Sequence, residues 1–313
     1  MPRSAAVAIP CWNGRRWLDG CLESVLAQTR SPDAVIVVDN GSEDGSPDHV
    51  RERFPGVRVV ELGRNTGFAG AANAALRAAE TDFVALVNTD VRLERDWLER
   101  TCAVLEATPE AASVATKMLD LENPSLVYDS GDILRRDGAC EQRGRFERDD
   151  GRFDEPGEVF GACAGAALYR RAPALELGGF DERFFLYLED VDLALRLRLA
   201  GWTCMYEPAV ALHAGEGSGD PPERPVNAWV ERNTLLMVAR AFPWSWLPLV
   251  VWRQAAWAWH ALRGRRLASH LRGALSALPL LPAMWRERRA LRGMRVPVET
   301  AVPPHPLRGK LQH

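Results

Sequence analysis

Short, continuous apolar runs recur in the first part of the chain, each followed by polar residues and then by a segment of helical spacing. Ala5–Ile9, Ala34–Val38, Val57–Leu62 and Phe83–Val87 are such runs. They lack the alternation of a half-exposed strand, which is the pattern of parallel strands covered on both faces. Between them, Arg15–Ala27 places Trp17, Leu18, Cys21, Leu22, Val25 and Leu26 at helical positions, and Ala71–Ala79 is an alanine-rich helix. Strand and helix alternating in units of about thirty residues predict βαβ crossovers and a doubly wound, mostly parallel sheet.

The second part is less regular. Trp97–Leu105 has helical spacing, and Ala115–Tyr128 reads as strand and turn. Arg135–Pro156 is charged and glycine-containing, and is expected to be an exposed loop or hairpin without chemistry. Val159–Arg170 is rich in small residues, which suits a strand packed beside a cleft. Glu189, Asp190 and Asp192 open a helix over Leu193–Ala200, and Gly201 follows where a left-handed C-terminal residue favours glycine. Val210–Leu212 is a further apolar strand that ends at His213.

From Phe242 onward the character changes. Phe242–Leu262 carries Trp244, Trp246, Trp252, Trp257 and Trp259, yet Pro243, Pro248, Arg253 and Gln254 interrupt it. A central arginine costs about 2.5–3.5 kcal/mol on insertion, which disfavours a spanning helix. Arginines dominate Arg253–Arg295, with Glu287 as the single acid. Two arrangements fit: basic helices lying in a membrane interface, or an amphipathic helix pair packed on the main domain. The division expected is an α/β domain over 1–240 and a Trp/Arg-rich helical tail over 241–313.

Composition narrows the class. The chain has 313 residues, 47% of them hydrophobic, and a net charge of −3, so nothing points to nucleic acid as a partner. Lys117 and Lys310 are the only lysines. Cys11, Cys21, Cys102, Cys140, Cys163 and Cys204 form no C-x-x-C pair and no metal-like spacing, and are expected to be buried thiols of a reducing compartment. MPRSAAVAIP enters a strand without a signal-peptide core, so a cytoplasmic location is expected.

Candidate chemistry sits at the strand exits. Phe83–Val87 breaks into Asn88-Thr89-Asp90, where Asn88 and Asp90 can both face one hard cation such as Mg²⁺ or Mn²⁺. The alternative is an Asx-turn that merely closes the strand. Gly67 and Gly70 lack the third glycine of a dinucleotide fingerprint and follow the third strand, so NAD binding is rejected. Glu189, Asp190 and Asp192 either cap their helix or supply a general base, and the helix N-terminus serves both. His213, between a strand and a Gly/Ser loop, has a better setting for a ligand than a helix face offers.

Together, IPCWNG (Ile9–Gly14), VVDNGSEDGS (Val37–Ser46), RNTGFAGAAN (Arg64–Asn73), LVNTDV (Leu86–Val91), GGFDERFFLYLEDVDLALRLRLAGW (Gly178–Trp202) and LHAGEGS (Leu212–Ser218) resemble the motifs of family-2 inverting glycosyltransferases of the GT-A fold, in order and spacing. The flavour is that of bacterial rhamnosyltransferase-like members. The resemblance implies a nucleotide-sugar half near 1–115 and an acceptor half near 116–240. It implies that Asp39 accepts the imide N–H of uracil or thymine, with Pro10, Cys11 and Asn13 lining base and ribose. Arg64, Asn65, Gly67 and Asn73 would shape the nucleotide and donor-sugar side, joined by Asn88, Thr89 and Asp90. Asn88 and Asp90 fill the D-x-D positions, His213 matches a third metal ligand, and Asp190 matches the catalytic base. Gly165, Tyr187 and Glu189 fall on the acceptor side. Asn88 departs from the family, since many relatives carry aspartate there.

The function so implied is transfer of one sugar from a UDP- or dTDP-sugar to a glycan or lipid-linked glycan, with a divalent cation, at the cytoplasmic face of the membrane. A nucleotidyltransferase would want a glycine-rich, lysine-bearing loop where IPCWNGRRW stands. A membrane-bound scaffold that has lost turnover remains a rival because of Asn88. Processive synthases carry Q-x-x-R-W after the base, and this chain has no such motif.

Overall fold

A computed structural model describes residues 2–215 and 226–304. The chain alternates β1 (Ala5–Cys11), α1 (Arg15–Leu26), β2 (Ala34–Asp39), α2 (Ser46–Arg53), β3 (Arg58–Glu61), α3 (Gly67–Ala78), β4 (Phe83–Val87), β5 (Val91–Leu93), α4 (Trp97–Ala107) and β6 (Ala111–Asp120). There follow β7 (Val127–Asp129), β8 (Asp132–Leu134), β9 (Cys140–Gln142), β10 (Gly157–Val159), β11 (Ala166–Arg170), α5 (Arg171–Glu176), α6 (Glu189–Leu199) and β12 (Thr203–His213). The C-terminal helices are α7 (Val226–Ala241), α8 (Leu247–Arg263), α9 (Leu267–Ala277), α10 (Leu281–Arg292) and α11 (Val298–Ala301). α2 escapes the sequence pattern because SPDHVRER buries little, although Pro47 suits its first turn.

The main sheet runs β10-β12-β6-β11-β4-β1-β2-β3, with β5 on β12 and β7 on β6. β4, β1, β2 and β3 are parallel, while β11 enters antiparallel between β4 and β6. Successive residues of the central strands feed opposite cores. Val7, Ile9, Val35, Val37, Phe83 and Ala85 pack on the face of α1 and α4. Ala6, Ala8, Ile36, Val38, Val84 and Leu86 pack on the face of α3. That two-sided burial is why these strands read as unbroken apolar runs. The parallel arrangement brings the ends of β1, β2 and β4 to one edge of the sheet, the edge where ligands bind in such folds.

The tail packs on the α/β body. A third core joins Phe184, Val191, Leu195 and Leu199 to Leu236, Phe242, Trp246, Met284 and Leu291. α7 packs against both α9 and α10. Arg253 does not interrupt an outward surface: it is buried, and its Nε donates to Asp137 Oδ2 at 2.8 Å. No helix among the described residues is long and apolar enough to cross a membrane.

One expectation is corrected here. The stretch from Arg135 to Pro156 does hold the turn and second strand of the β8–β9 hairpin, but Arg135, Asp137 and Ala139 at its start are buried and Glu141, Gln142, Arg145 and Phe146 line the central cavity. The two buried charges at its start are partnered, Asp137 by Arg253 and Arg135 by Glu141 at 3.3 Å, whereas Asp150, Arg152 and Asp154 further along are exposed.

Candidate active site

The strand exits open onto a cavity of about 650 Å³. One wall comes from Pro10 and Cys11 at the end of β1 and Trp12 after it, Asn40 after β2, Asn65 and Gly67 at the start of α3, and Asn88, Thr89 and Asp90 after β4. The other comes from Tyr128, Asp132, the β9 region through Arg145 and Phe146, Cys163–Gly165, Phe185–Val191 and His213. Residues remote in sequence, including those expected on donor and acceptor sides, therefore share one space.

Asp90 and His213 meet because β12 lies antiparallel to β5, with His213 opposite Val91. The Ala214 N–H donates to the Asp90 carbonyl at 3.1 Å, locking that register. His213 Nε2 then stands 3.3 Å from Asp90 Oδ1, both side chains buried. Neither ring nitrogen of His213 makes a hydrogen bond among the described residues, and the ring packs edge-on to Tyr128 at 4.2 Å. Two ligands in adjacent octahedral positions at 2.0–2.1 Å from a small cation lie about 3 Å apart, so this pair fits as two corners of a cation site. No three His, Cys, Asp or Glu side chains among the described residues form a ready cage. An amide such as Asn88, or substrate oxygens, would have to complete it. Asn88 lines the cavity, and its backbone N–H is fixed by the Gly165 carbonyl at 2.8 Å.

Asp190, the second residue of α6, lines the cavity too. It does not cap its helix in the usual sense: the residue before α6 is Leu188, and no side chain closes the N-terminus. Its Oδ2 accepts from the Ala164 N–H at 3.1 Å and its Oδ1 from the Val191 N–H at 2.8 Å. Burial raises its proton affinity above that of an ordinary carboxylate, and those N–H groups offset part of the rise. Glu189 is pushed up strongly, by burial first and then by the Asp190 charge. Asp132 is raised by burial and by the charges of Asp190, Asp129 and Glu189, and Asp129 is raised to about 7, chiefly by burial. A carboxylate in such company accepts a proton more readily than one in water.

The loop before α6 is strained. Phe185, Tyr187 and Leu188 all have positive φ, at 64°, 68° and 65°. Non-glycine residues in that region persist only where the surroundings impose it. Here the fully buried Asn233 of α7 imposes it, its Nδ2 reaching the carbonyls of Phe184, Leu186 and Tyr187 at 3.0, 2.9 and 2.7 Å. Gly67 is required on the other side, where a Cβ would stand 2.3 Å from the Phe185 carbonyl oxygen.

The remaining expected residues divide. Pro10, Cys11, Asn65, Gly67, Thr89, Gly165, Tyr187 and Glu189 line the cavity. Asp39 is buried just outside that lining. Its Oδ2 holds the Gly41 and Ser42 N–H groups at 3.2 Å, and its Oδ1 has no partner. Asn13 ties its loop to the next, accepting from the Glu43 N–H and donating its own N–H to Ser42 Oγ. Asn73 is buried against the turn after α5, bonded to Phe180 and Glu182, and Arg64 is exposed. The Glu216–Ser218 end of the last motif lies outside the described residues, as does 305–313 of the tail.

Sequence reasoning missed Asp129, Asp132, Tyr128, Arg145 and Asn233. Arg145 is the one Arg or Lys among the described residues of the lining, its guanidinium carbon 4.0 Å from the centroid of the Tyr128 ring. Of the cysteines, Cys140 and Cys163 are half-buried at the cavity wall rather than in a core; all six are free thiols.

The mixed, mostly parallel sheet with its flanking helices is a GT-A fold. The chain belongs to glycosyl transferase family 2, whose pattern matches residues 6–178. It is 29% identical over 260 residues to the N-acetylglucosaminyl-diphospho-decaprenol L-rhamnosyltransferase of Mycobacterium tuberculosis, spanning 74% of this chain and 83% of that one. It is 30% identical over 272 residues to the pre-mycofactocin glycosyltransferase of the same species, spanning 82% of this chain and 52% of the relative. Among solved structures, the mannosyltransferase of Pyrobaculum calidifontis in complex with GDP-Man and Mn²⁺ aligns with TM-score 0.54 at 20% identity, over 93% of this chain and 81% of that one. GalNAc-T7 with UDP, GalNAc and Mn²⁺ aligns with TM-score 0.60 at 13% identity, over 76% and 48%. At such identities the structural likeness establishes the fold.

Proposed function

We propose that this protein transfers a single sugar, with inversion, from a UDP- or dTDP-sugar to a hydroxyl of a lipid-linked glycan, with Asp190 as the general base. The observation that carries the reading is Asp190 itself: a carboxylate of raised proton affinity, fixed by two backbone N–H groups, in the same cavity as the Asp90–His213 pair. Asp190 takes the proton from the acceptor hydroxyl as that oxygen bonds to the anomeric carbon. The bond from that carbon to the diphosphate oxygen breaks on the opposite face, and the nucleoside diphosphate leaves. One displacement inverts the centre and needs no protein nucleophile.

Asp90 and His213, with Asn88, are the residues that would hold a divalent cation, Mg²⁺ or Mn²⁺. Such an ion supplies Lewis-acid neutralisation of the charge on a departing diphosphate. Asn88 brings one negative charge fewer than aspartate, and amide oxygens ligate such ions. Asp39 Oδ1, buried without a partner, is the acceptor available to the imide N–H of uracil or thymine. Glu189 and Tyr187, one and three residues before Asp190 and in the same cavity lining, are assigned to the acceptor.

The rhamnosyltransferase relative makes dTDP-rhamnose the first donor to try and a polyprenyl-diphosphate-linked amino sugar the first acceptor. Such an acceptor would place the reaction at the cytoplasmic face of the cell membrane. The test incubates purified protein and Mn²⁺ with dTDP-rhamnose, UDP-glucose, UDP-galactose or UDP-N-acetylglucosamine, with and without that acceptor. Acceptor-dependent release of one nucleoside diphosphate, with a product one sugar longer, supports the proposal. Nucleotide binding without release or hydrolysis, whatever the donor, would instead favour a scaffold that kept the fold.

A further inference from the structure

α8 is turned inside out relative to an ordinary surface helix. Its one charged residue between the first turn and the last, Arg253, points into the protein and pairs with the buried Asp137. Its opposite face is exposed and apolar, carrying Pro248, Val251, Trp252, Ala255, Trp259 and Leu262, each three or four residues from another of the set. Val251 and Trp259 are 65% and 60% exposed, and α9 adds Leu271 and Leu275, followed by Leu278 just beyond its end, all exposed. A row of large apolar side chains on a helix marks a contact surface, since a solvated helix turns its charges outward.

Charge identifies the partner. Arg263, Arg265 and Arg266 are exposed where α8 gives way to α9, Arg272 is exposed on α9, and the Arg263 guanidinium lies 5.6 Å from the Trp259 ring centroid. No acidic residue occurs between Glu231 and Glu287. We infer that the α8–α9 face docks the protein on an anionic lipid surface, the tryptophans and aliphatic side chains entering the interface while the arginines meet the headgroups. A second copy of the chain is a poorer occupant, because a face-to-face pair would bring these arginines together without compensating acids. Neither helix is long and apolar enough to cross a bilayer. The inference gives a physical route to the lipid-linked acceptor of the proposed function and rests on that reading only for its biological purpose, because lipid docking is measured without turnover.

The experiment is sedimentation of the full chain with vesicles of phosphatidylglycerol and phosphatidylcholine, against vesicles of phosphatidylcholine alone. Binding is expected only with the anionic vesicles, with release in high salt as the headgroup attraction is screened. Replacing Arg263, Arg265 and Arg266 by glutamine should weaken binding on the order of a hundredfold, at about one basic residue's attraction each. The Val251→Ser, Trp252→Ser, Trp259→Ser variant should weaken it on the order of tenfold or more and abolish a blue shift of tryptophan emission on binding. Both variants should keep the wild-type circular dichroism and donor-dependent nucleotide release. Equal binding to both vesicle types, undiminished binding by both variants, or a concentration-dependent dimer that hides the tryptophans would overturn the inference. Loss of nucleotide release in the wild-type protein would count against the transferase reading and leave lipid docking standing.

Discussion

Asn233 Nδ2 lies 2.7 Å from the Tyr187 carbonyl oxygen, so a buried amide on α7 holds the backbone that leads directly into Asp190. The same amide reaches the carbonyls of Phe184 and Leu186, so one side chain spans the backbone on both sides of the left-handed Phe185. Asn233→Ala should therefore cost about 1–3 kcal/mol, from carbonyls left unsatisfied and strain left unsupported. The turnover number should fall further than donor affinity. Hydrogen exchange at residues 184–188 checks this: faster exchange is expected, and unchanged protection would separate Asn233 from the loop.

The cation pair makes a second prediction. Asp90→Ala should abolish Mn²⁺-dependent thermal stabilisation by the nucleoside diphosphate, and His213→Ala should weaken it on the order of tenfold or more. Asn88→Asp should preserve or strengthen it. Full transfer by wild-type protein in EDTA, or an Asp90→Ala variant that responds to Mn²⁺ normally, contradicts the assignment.

Asp192 does different work from its neighbour. It is buried, bonded to Arg196 Nε at 2.7 Å and to Arg240 Nη1 at 2.9 Å, and Arg240 continues to Asp181 and Glu287. This network fastens α6 to α7 and α10. Removing one member strands buried arginines, so Asp192→Ala should destabilise by about 3–5 kcal/mol in denaturant titration. A loss under about 1 kcal/mol would reduce the network to the worth of a surface pair.

Glu231 gives the tail a pH signature. It is buried on α7, facing His270 of α9 at 3.3 Å, and burial raises its pKa to about 7. Burial also disfavours the charged form of His270. A carboxyl raised above its ordinary 4.5 contributes stability that is complete below that value and is lost as pH rises through about 7. Glu231→Gln removes this fall. The variant should gain on the order of 2 kcal/mol relative to wild type between pH 5 and pH 8. Parallel stability curves would show that Glu231 titrates as an ordinary carboxylate.

What was legible in the sequence had a local cause. β1, β2 and β4 show as apolar runs because both their faces are buried, and Asn88-Thr89-Asp90 marks a strand exit because its oxygens interrupt one. Glu189 and Asp190 stand out as acids opening a helix. What was hidden depends on pairing between distant segments. His213 reaches Asp90 only through the β12–β5 register, which no window of sequence contains. Asn233 lies in an unremarkable helix and acts on a loop far before it. Arg253 counted as an interruption of an apolar segment, yet it turns inward to Asp137 while Trp252 and Trp259 stay outside.

The central claim is that Asp190 is the base, and an isosteric substitution tests it most directly. Asp190→Asn keeps the size of the side chain and an acceptor oxygen for one of the Ala164 and Val191 N–H groups, which bond different oxygens of the carboxylate, but an amide cannot take up the acceptor's proton. Loss of general-base assistance typically costs 10²–10⁴-fold. The decisive measurement is the transfer rate of Asp190→Asn at saturating donor, with Mn²⁺-dependent donor binding confirmed on the same sample. The account predicts intact binding and transfer slower by roughly a hundredfold or more. Transfer near the wild-type rate would contradict it and move the search for the base to Glu189.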